Sequence, residues 1–99
     1  SRPVPAPGPG EVVLRVLGCG ICGTDLRIAR GVHRLVRADQ RRIPGHEVVG
    51  EVAALGEGAA APPVGARVAV APNWGCGACR ACRRGDNNLC ATAEAIGIT

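Results

Sequence analysis

Four cysteines within fifteen residues constrain this chain more than any other feature. Cys76, Cys79, Cys82 and Cys90 read Cys-x-x-Cys-x-x-Cys-x7-Cys. The stretch around them is polar and glycine-rich, so it has no apolar core of its own and needs a cross-link. Two-residue gaps let consecutive thiolates turn inward onto one ion, and the last gap closes a small loop back on it. Zinc takes such a set as a tetrahedron with Zn–S near ~2.3 Å, and four protein ligands leave no open position, which marks a structural site. Binding of this kind is worth on the order of 10–16 kcal/mol in finger peptides. Gly75, Gly77 and Gly85 are expected to supply positive φ angles in the turns. Arg80, Arg83 and Arg84 either offset the thiolate charge or form a solvated face. Disulfides and an iron–sulfur cluster are the alternatives. No secretory leader is expected with these cysteines, and no further ferredoxin-type cysteine pattern is present.

The remaining composition points to a β domain. At 99 residues the chain is expected to form one small domain, and a domain of that size buries only roughly 60–65% of its unfolded surface. With one Trp, no Phe and no Tyr, the core must be built from Val, Leu, Ile and Ala. Val-rich, Gly-punctuated sequence favours strands joined by many turns. No apolar run approaches the ~18 residues of a membrane span, so no membrane partner is expected. The net charge of +4 rests on twelve Arg and no Lys. With Trp74 as the only ring there is no stacking platform, and no nucleic-acid partner is expected. Thiols at metal-ligand spacing without a leader point to the reducing cytoplasm.

Residues 1–10 alternate with Pro and are expected to be extended. Glu11–Leu17 reads as a strand, which Gly18, Gly20 and Gly23 then interrupt. A short helix is expected from Asp25 to Arg30, capped by Thr24 or Asp25 and ended by Gly31. Residues 26–42 carry two patterns: an amphipathic helix broken at Gly31, or one helical turn followed by an Arg-rich loop. The loop reading is preferred, because Gly is costly in mid-helix. Glu47–Leu55 and Arg67–Ala71 read as strands. Residues 73–91 read as a loop held by metal.

A second constellation lies outside that lobe. Gly20-Ile21-Cys22-Gly23-Thr24-Asp25 is followed by Gly45-His46-Glu47-x-x-Gly50-x5-Gly56. Taken singly, a Cys is often an inert small hydrophobe, and a His a satisfied structural residue. In this order, and followed by the four-cysteine lobe, the motifs resemble the zinc-dependent medium-chain alcohol dehydrogenases over about Val12 to Thr99. The resemblance is to their N-terminal catalytic domain.

The resemblance implies a mainly β fold: a GroES-like, partly open β-barrel with a short helix and a zinc-held lobe at 73–91, all within residues 1–99. It implies that Cys22 and His46 are ligands of a catalytic zinc. Glu47 stands beside that metal, as a direct or water-mediated ligand. Thr24 is the hydroxyl that relays the alcohol proton, and Asp25 the acid that orients His46. Cys76, Cys79, Cys82 and Cys90 match the structural zinc ligands. The implied activity is hydride transfer between a small alcohol or polyol and NAD or NADP, in an enzyme that self-associates. The family's dinucleotide-binding Rossmann domain is expected to lie outside this chain, and the fragment alone is expected to be inactive. Gly23 stands where some relatives carry a basic residue that touches the cofactor's phosphates, which puts that contact in doubt. Cys19 reads as packing and His33 as surface. The competing reading is a zinc-stabilised binding module that uses only the four-cysteine lobe.

Overall fold

In a computed structural model, residues 3–37 and 39–98 are described. Ser1 and Arg2 of the expected extended segment, Ala38 of the Arg-rich loop, and Thr99 lie outside them. The elements in order are β1 (Val12–Gly20), α1 (Gly23–Ala29), β2 (Glu47–Leu55), β3 (Arg67–Ala69), β4 (Asn73–Trp74), α2 (Arg80–Arg83), a 3-10 turn (Asn87–Leu89) and β5 (Glu94–Ala95). They form a three-stranded sheet in the order β1-β2-β3 and a two-stranded sheet of β4 and β5. Contacts divide the chain into two units, one of Ser1–Gly18 with Val48–Ala69 and one of Cys19–Glu47 with Val70–Thr99.

In the first unit β2 is the central strand. It pairs antiparallel with β3 in the register Val49↔Ala69, Gly50↔Val68 and Glu51↔Arg67. That register sets Glu51 opposite Arg67, whose Nε lies 3.7 Å from its Oε1, and Arg15 of β1 bonds the same carboxylate. Gly50 is buried, and a Cβ there would stand 2.7 Å from the Arg15 carbonyl oxygen. The missing side chain is what lets the strands approach. Val52, only 2% exposed, is the deepest apolar side chain of this unit. Beyond β2 the Gly56 N–H donates to the Glu11 carbonyl at 2.8 Å, and the Gly10 N–H to the Glu57 carbonyl at 2.8 Å.

The second unit carries α1, the connection to β2 and the cysteine lobe. Among the described residues its buried apolar side chains are Val36 and Cys90. β4 and β5 pair antiparallel, with Asn73↔Ala95 and Trp74↔Glu94.

Several expectations shift. β1 runs on through Gly18 to Gly20, because pairing in the sheet overrides weak local propensity. Strand β3 ends at Ala69 rather than Ala71. Helix α1 begins two residues early, at Gly23, and its cap is Cys22 rather than Thr24 or Asp25. After Arg30 and Gly31 (φ +71) the described residues to Arg42 hold turns and bends but no helix, so the loop reading is the one adopted. The lobe at 73–91 is more than a loop, since it contains β4, α2 and the 3-10 turn. No helix among the described residues is long and apolar enough to cross a membrane.

Candidate metal centres

The first centre grows out of the start of α1. Cys22 has extended backbone (φ −113, ψ 175), which turns its side chain back over the first helical turn. Its Sγ accepts the Thr24 N–H at 3.3 Å, while Asp25 Oδ2 accepts the Cys22 N–H at 3.0 Å. This reciprocal capping box satisfies two N–H groups that the helix itself cannot pair. It also fixes a thiol and a carboxylate side by side.

His46 arrives from the other direction, immediately before β2. Gly45 precedes it at φ +108, a conformation that favours glycine. The imidazole Nε2 lies 3.1 Å from Cys22 Sγ. On the opposite edge of the ring, Nδ1 lies 3.6 Å from Asp25 Oδ1. Both of those atoms are buried and neither has a hydrogen-bond partner. Glu47 opens β2 and is exposed, with its carboxylate against Gly20. One donor atom each from Cys22, His46 and Glu47 lies within 4.8 Å of the others.

This donor set fits a zinc-type ion. A tetrahedral ion with ordinary Zn–S and Zn–N bonds separates sulfur and nitrogen by about 3.6 Å, so the present gap needs to open by roughly half an ångström. An ion on Nε2 would also leave the proton on Nδ1, aimed at Asp25 Oδ1, and so satisfy the two orphaned atoms.

The second centre is local. The sulfurs of Cys76, Cys79, Cys82 and Cys90 lie within 4.8 Å of one another, and all six cysteines are free thiols rather than disulfides. Backbone N–H groups point at the sulfurs. Ala78 and Cys79 donate to Cys76 Sγ at 3.4 and 3.3 Å, Cys82 to Cys79 Sγ at 3.5 Å, and Cys76 to Cys90 Sγ at 3.4 Å. The two-residue spacing thus brings Cys76 and Cys79 under the amides that follow them, while Cys90 is reached by the amide of Cys76. Hydrogen bonds of this kind favour the charged form. Cys76 is lowered by the Ala78 and Cys79 amides. Cys90 is lowered to about 6, first by the Thr92 hydroxyl and then by the Cys76 amide. Cys82 moves the other way. A Gly77 amide pulls it down, but burial and the neighbouring thiols of Cys79, Cys90 and Cys76 together raise it to about 11.

One expectation for the lobe fails. Gly77 and Gly85 have positive φ, but Gly75 does not. Gly75 is needed for space, since a Cβ there would run into Cys82 Sγ. Arg80 and Arg83 are exposed, and Arg84 pairs with Asp86 at 3.2 Å. Sequence reasoning missed Thr92, whose Oγ1 lies 3.5 Å from Cys90 Sγ, because nothing in the cysteine spacing marks it.

Cys19 is exposed. Its sulfur lies so close to Gly45 that a Cβ there would stand 2.7 Å away, and it helps line a cavity of about 500 Å³ that Asp25 also borders. His33 is half-buried rather than open surface, and its Nδ1 accepts the Leu35 N–H at 3.2 Å.

Taken together, these features define a mainly β domain with two separate groups of metal-competent donors. The chain belongs to the alcohol dehydrogenase GroES-like domain family, whose model matches residues 8–98. An L-threonine 3-dehydrogenase of Pyrococcus horikoshii is 44% identical over 96 residues, which is 96% of this chain and 28% of that protein. The crystal structure of an Escherichia coli CFT073 alcohol dehydrogenase complexed with NADH superposes with a TM-score of 0.86 at 41% identity, over 98% of this chain and 27% of that one. A cobalt- and zinc-bound thermostable alcohol dehydrogenase from Pyrobaculum aerophilum gives a TM-score of 0.81 at 36% identity, covering 96% and 29% of the two chains. The chain therefore spans less than a third of the length of these relatives.

Proposed function

We propose that this chain is the metal-holding catalytic domain of an NAD(P)-dependent dehydrogenase acting on a small alcohol or polyol. The observation that carries the reading is the convergence of Cys22 Sγ, His46 Nε2 and the Glu47 carboxylate, from opposite ends of a long connection, within 4.8 Å. Cys22, His46 and Glu47 would hold a catalytic zinc, and Cys76, Cys79, Cys82 and Cys90 a structural one. A zinc at the first centre supplies Lewis acidity that lowers the pKa of an alcohol hydroxyl.

The chain's own residues do the rest. Thr24, whose N–H is tied to Cys22 Sγ, carries the Oγ1 proposed to take up the alcohol proton and pass it towards solvent. Asp25 holds His46 in the tautomer that frees Nε2. The nicotinamide belongs to the part of the enzyme outside the match, so the isolated chain binds metal without turning over. The proposal includes self-association of the whole enzyme and a cytoplasmic location, where thiols stay reduced.

Metal counting tests it. Two zinc per chain are expected, with one lost in His46→Ala and the other retained. A single zinc indifferent to that substitution would leave a zinc-stabilised binding module in its place.

A further inference from the structure

Gly20 is the last residue of β1, and its bare Cα faces the Glu47 side chain. A Cβ built there would overlap Glu47 Oε2, with Glu47 Cβ 3.1 Å and Cδ 3.3 Å away. The same carboxylate supplies the third donor of the Cys22–His46 group. Gly20 is not among the glycines with positive φ, so any residue can adopt its backbone conformation. What glycine contributes here is space.

We infer that Gly20 is a positioning residue: the missing side chain at the end of β1 lets the Glu47 carboxylate fold back towards Cys22 and His46 instead of standing out into solvent. Glu47 is exposed and begins a strand, so other rotamers are open to it. A methyl at position 20 displaces the carboxylate from its present inward position and leaves the outward rotamers free. The coordination mode of the first centre is thereby set by a residue that carries no donor atom. The inference rests on the reading that Cys22, His46 and Glu47 hold a metal.

Cobalt(II) substitution in the 99-residue chain tests it, because the ligand-field spectrum reports donor set and geometry without any turnover. Gly20→Ala is expected to change the visible spectrum of the first-centre cobalt and weaken its binding about tenfold or more, the usual scale for disturbing a ligand's support. Glu47→Ala is expected to do the same. In the Glu47→Ala background, Gly20→Ala should add nothing further, since the two act through one side chain. The thiolate spectrum of the four-cysteine lobe should stay unchanged throughout.

A Gly20→Ala spectrum identical to the parent's would overturn the inference. So would an unchanged spectrum in Glu47→Ala, an additive double variant, or loss of the lobe signal, each of which assigns Gly20 a role other than holding Glu47. A parent chain that takes up only one cobalt would instead sink the underlying metal reading.

Discussion

Asp25 joins both ends of the Cys22–His46 pair: its Oδ2 accepts the Cys22 N–H at 3.0 Å, and its Oδ1 lies 3.6 Å from His46 Nδ1. The first contact is a helix cap and comes free with the local sequence. The second spans 21 residues of chain and depends on where β2 begins. One carboxylate thus registers a thiol against an imidazole.

Replacing that carboxylate should cost metal affinity. Asp25→Asn still accepts the Cys22 N–H but removes the charge facing Nδ1. First-centre zinc is expected to bind about 10–100-fold more weakly, as with other partners of metal-bound histidine. Competition with a chromophoric chelator measures this, and lobe zinc serves as the internal control. Unchanged first-centre affinity would deny Asp25 the role.

The lobe should depend on its ion. Helix α2 has four residues, far below what stands alone in water, and Cys90 is the one buried thiol of the four. Chelation is expected to abolish amide hydrogen-exchange protection over 76–90, and zinc to restore it. Cys90→Ser should prevent the recovery. Equal protection with and without metal would be the contrary result.

In the metal-free chain the lobe thiols should titrate apart. Cys90 is held down to about 6 by the Thr92 hydroxyl and the Cys76 amide, against an ordinary 9.0. Its thiolate stabilises the lobe fully above pH 9, and that contribution is lost as pH falls towards 6. Cys82, raised to about 11, contributes below pH 9 and loses that contribution as pH rises through 11. Thiolate absorbance should therefore show an early and a late step. Thr92→Val should move the early one upward. A single step near 9 would contradict the assignment.

Stability of the sheet should follow burial rather than ion pairing. Val52→Ala empties a site only 2% exposed and should cost about 2 kcal/mol. Glu51→Gln breaks pairs to Arg15 and Arg67, whose side chains are 66% and 79% exposed. It should cost less than about 1 kcal/mol. Urea midpoints of the metal-loaded variants decide the order.

How far each feature could be read from the chain follows from the range of the forces that make it. The Cys76–Cys90 group was legible because its geometry is set within fifteen residues by turns and by amides reaching back to sulfur. Strand β2 was legible because a valine-rich run sits between turn residues. The start of α1 was misread by two positions, since a cysteine is an unusual cap and only the folded chain has Cys22 Sγ accepting the Thr24 amide. The extension of β1 across Gly18 and Gly20 was hidden, because a partner strand decides it and local preference does not. Two-residue strands such as β4 and β5 carry no pattern at all.

The amino-acid order alone therefore determined the donor types, the local four-sulfur knot and the mainly β character, all consequences of short-range stereochemistry. Tertiary structure alone decided that Cys22 and His46, 24 residues apart, meet at 3.1 Å. It also decided that Gly20 makes room for Glu47. Those approaches arise where strand ends and a helix start converge, and no periodicity along the chain encodes the distance between side chains brought together by folding.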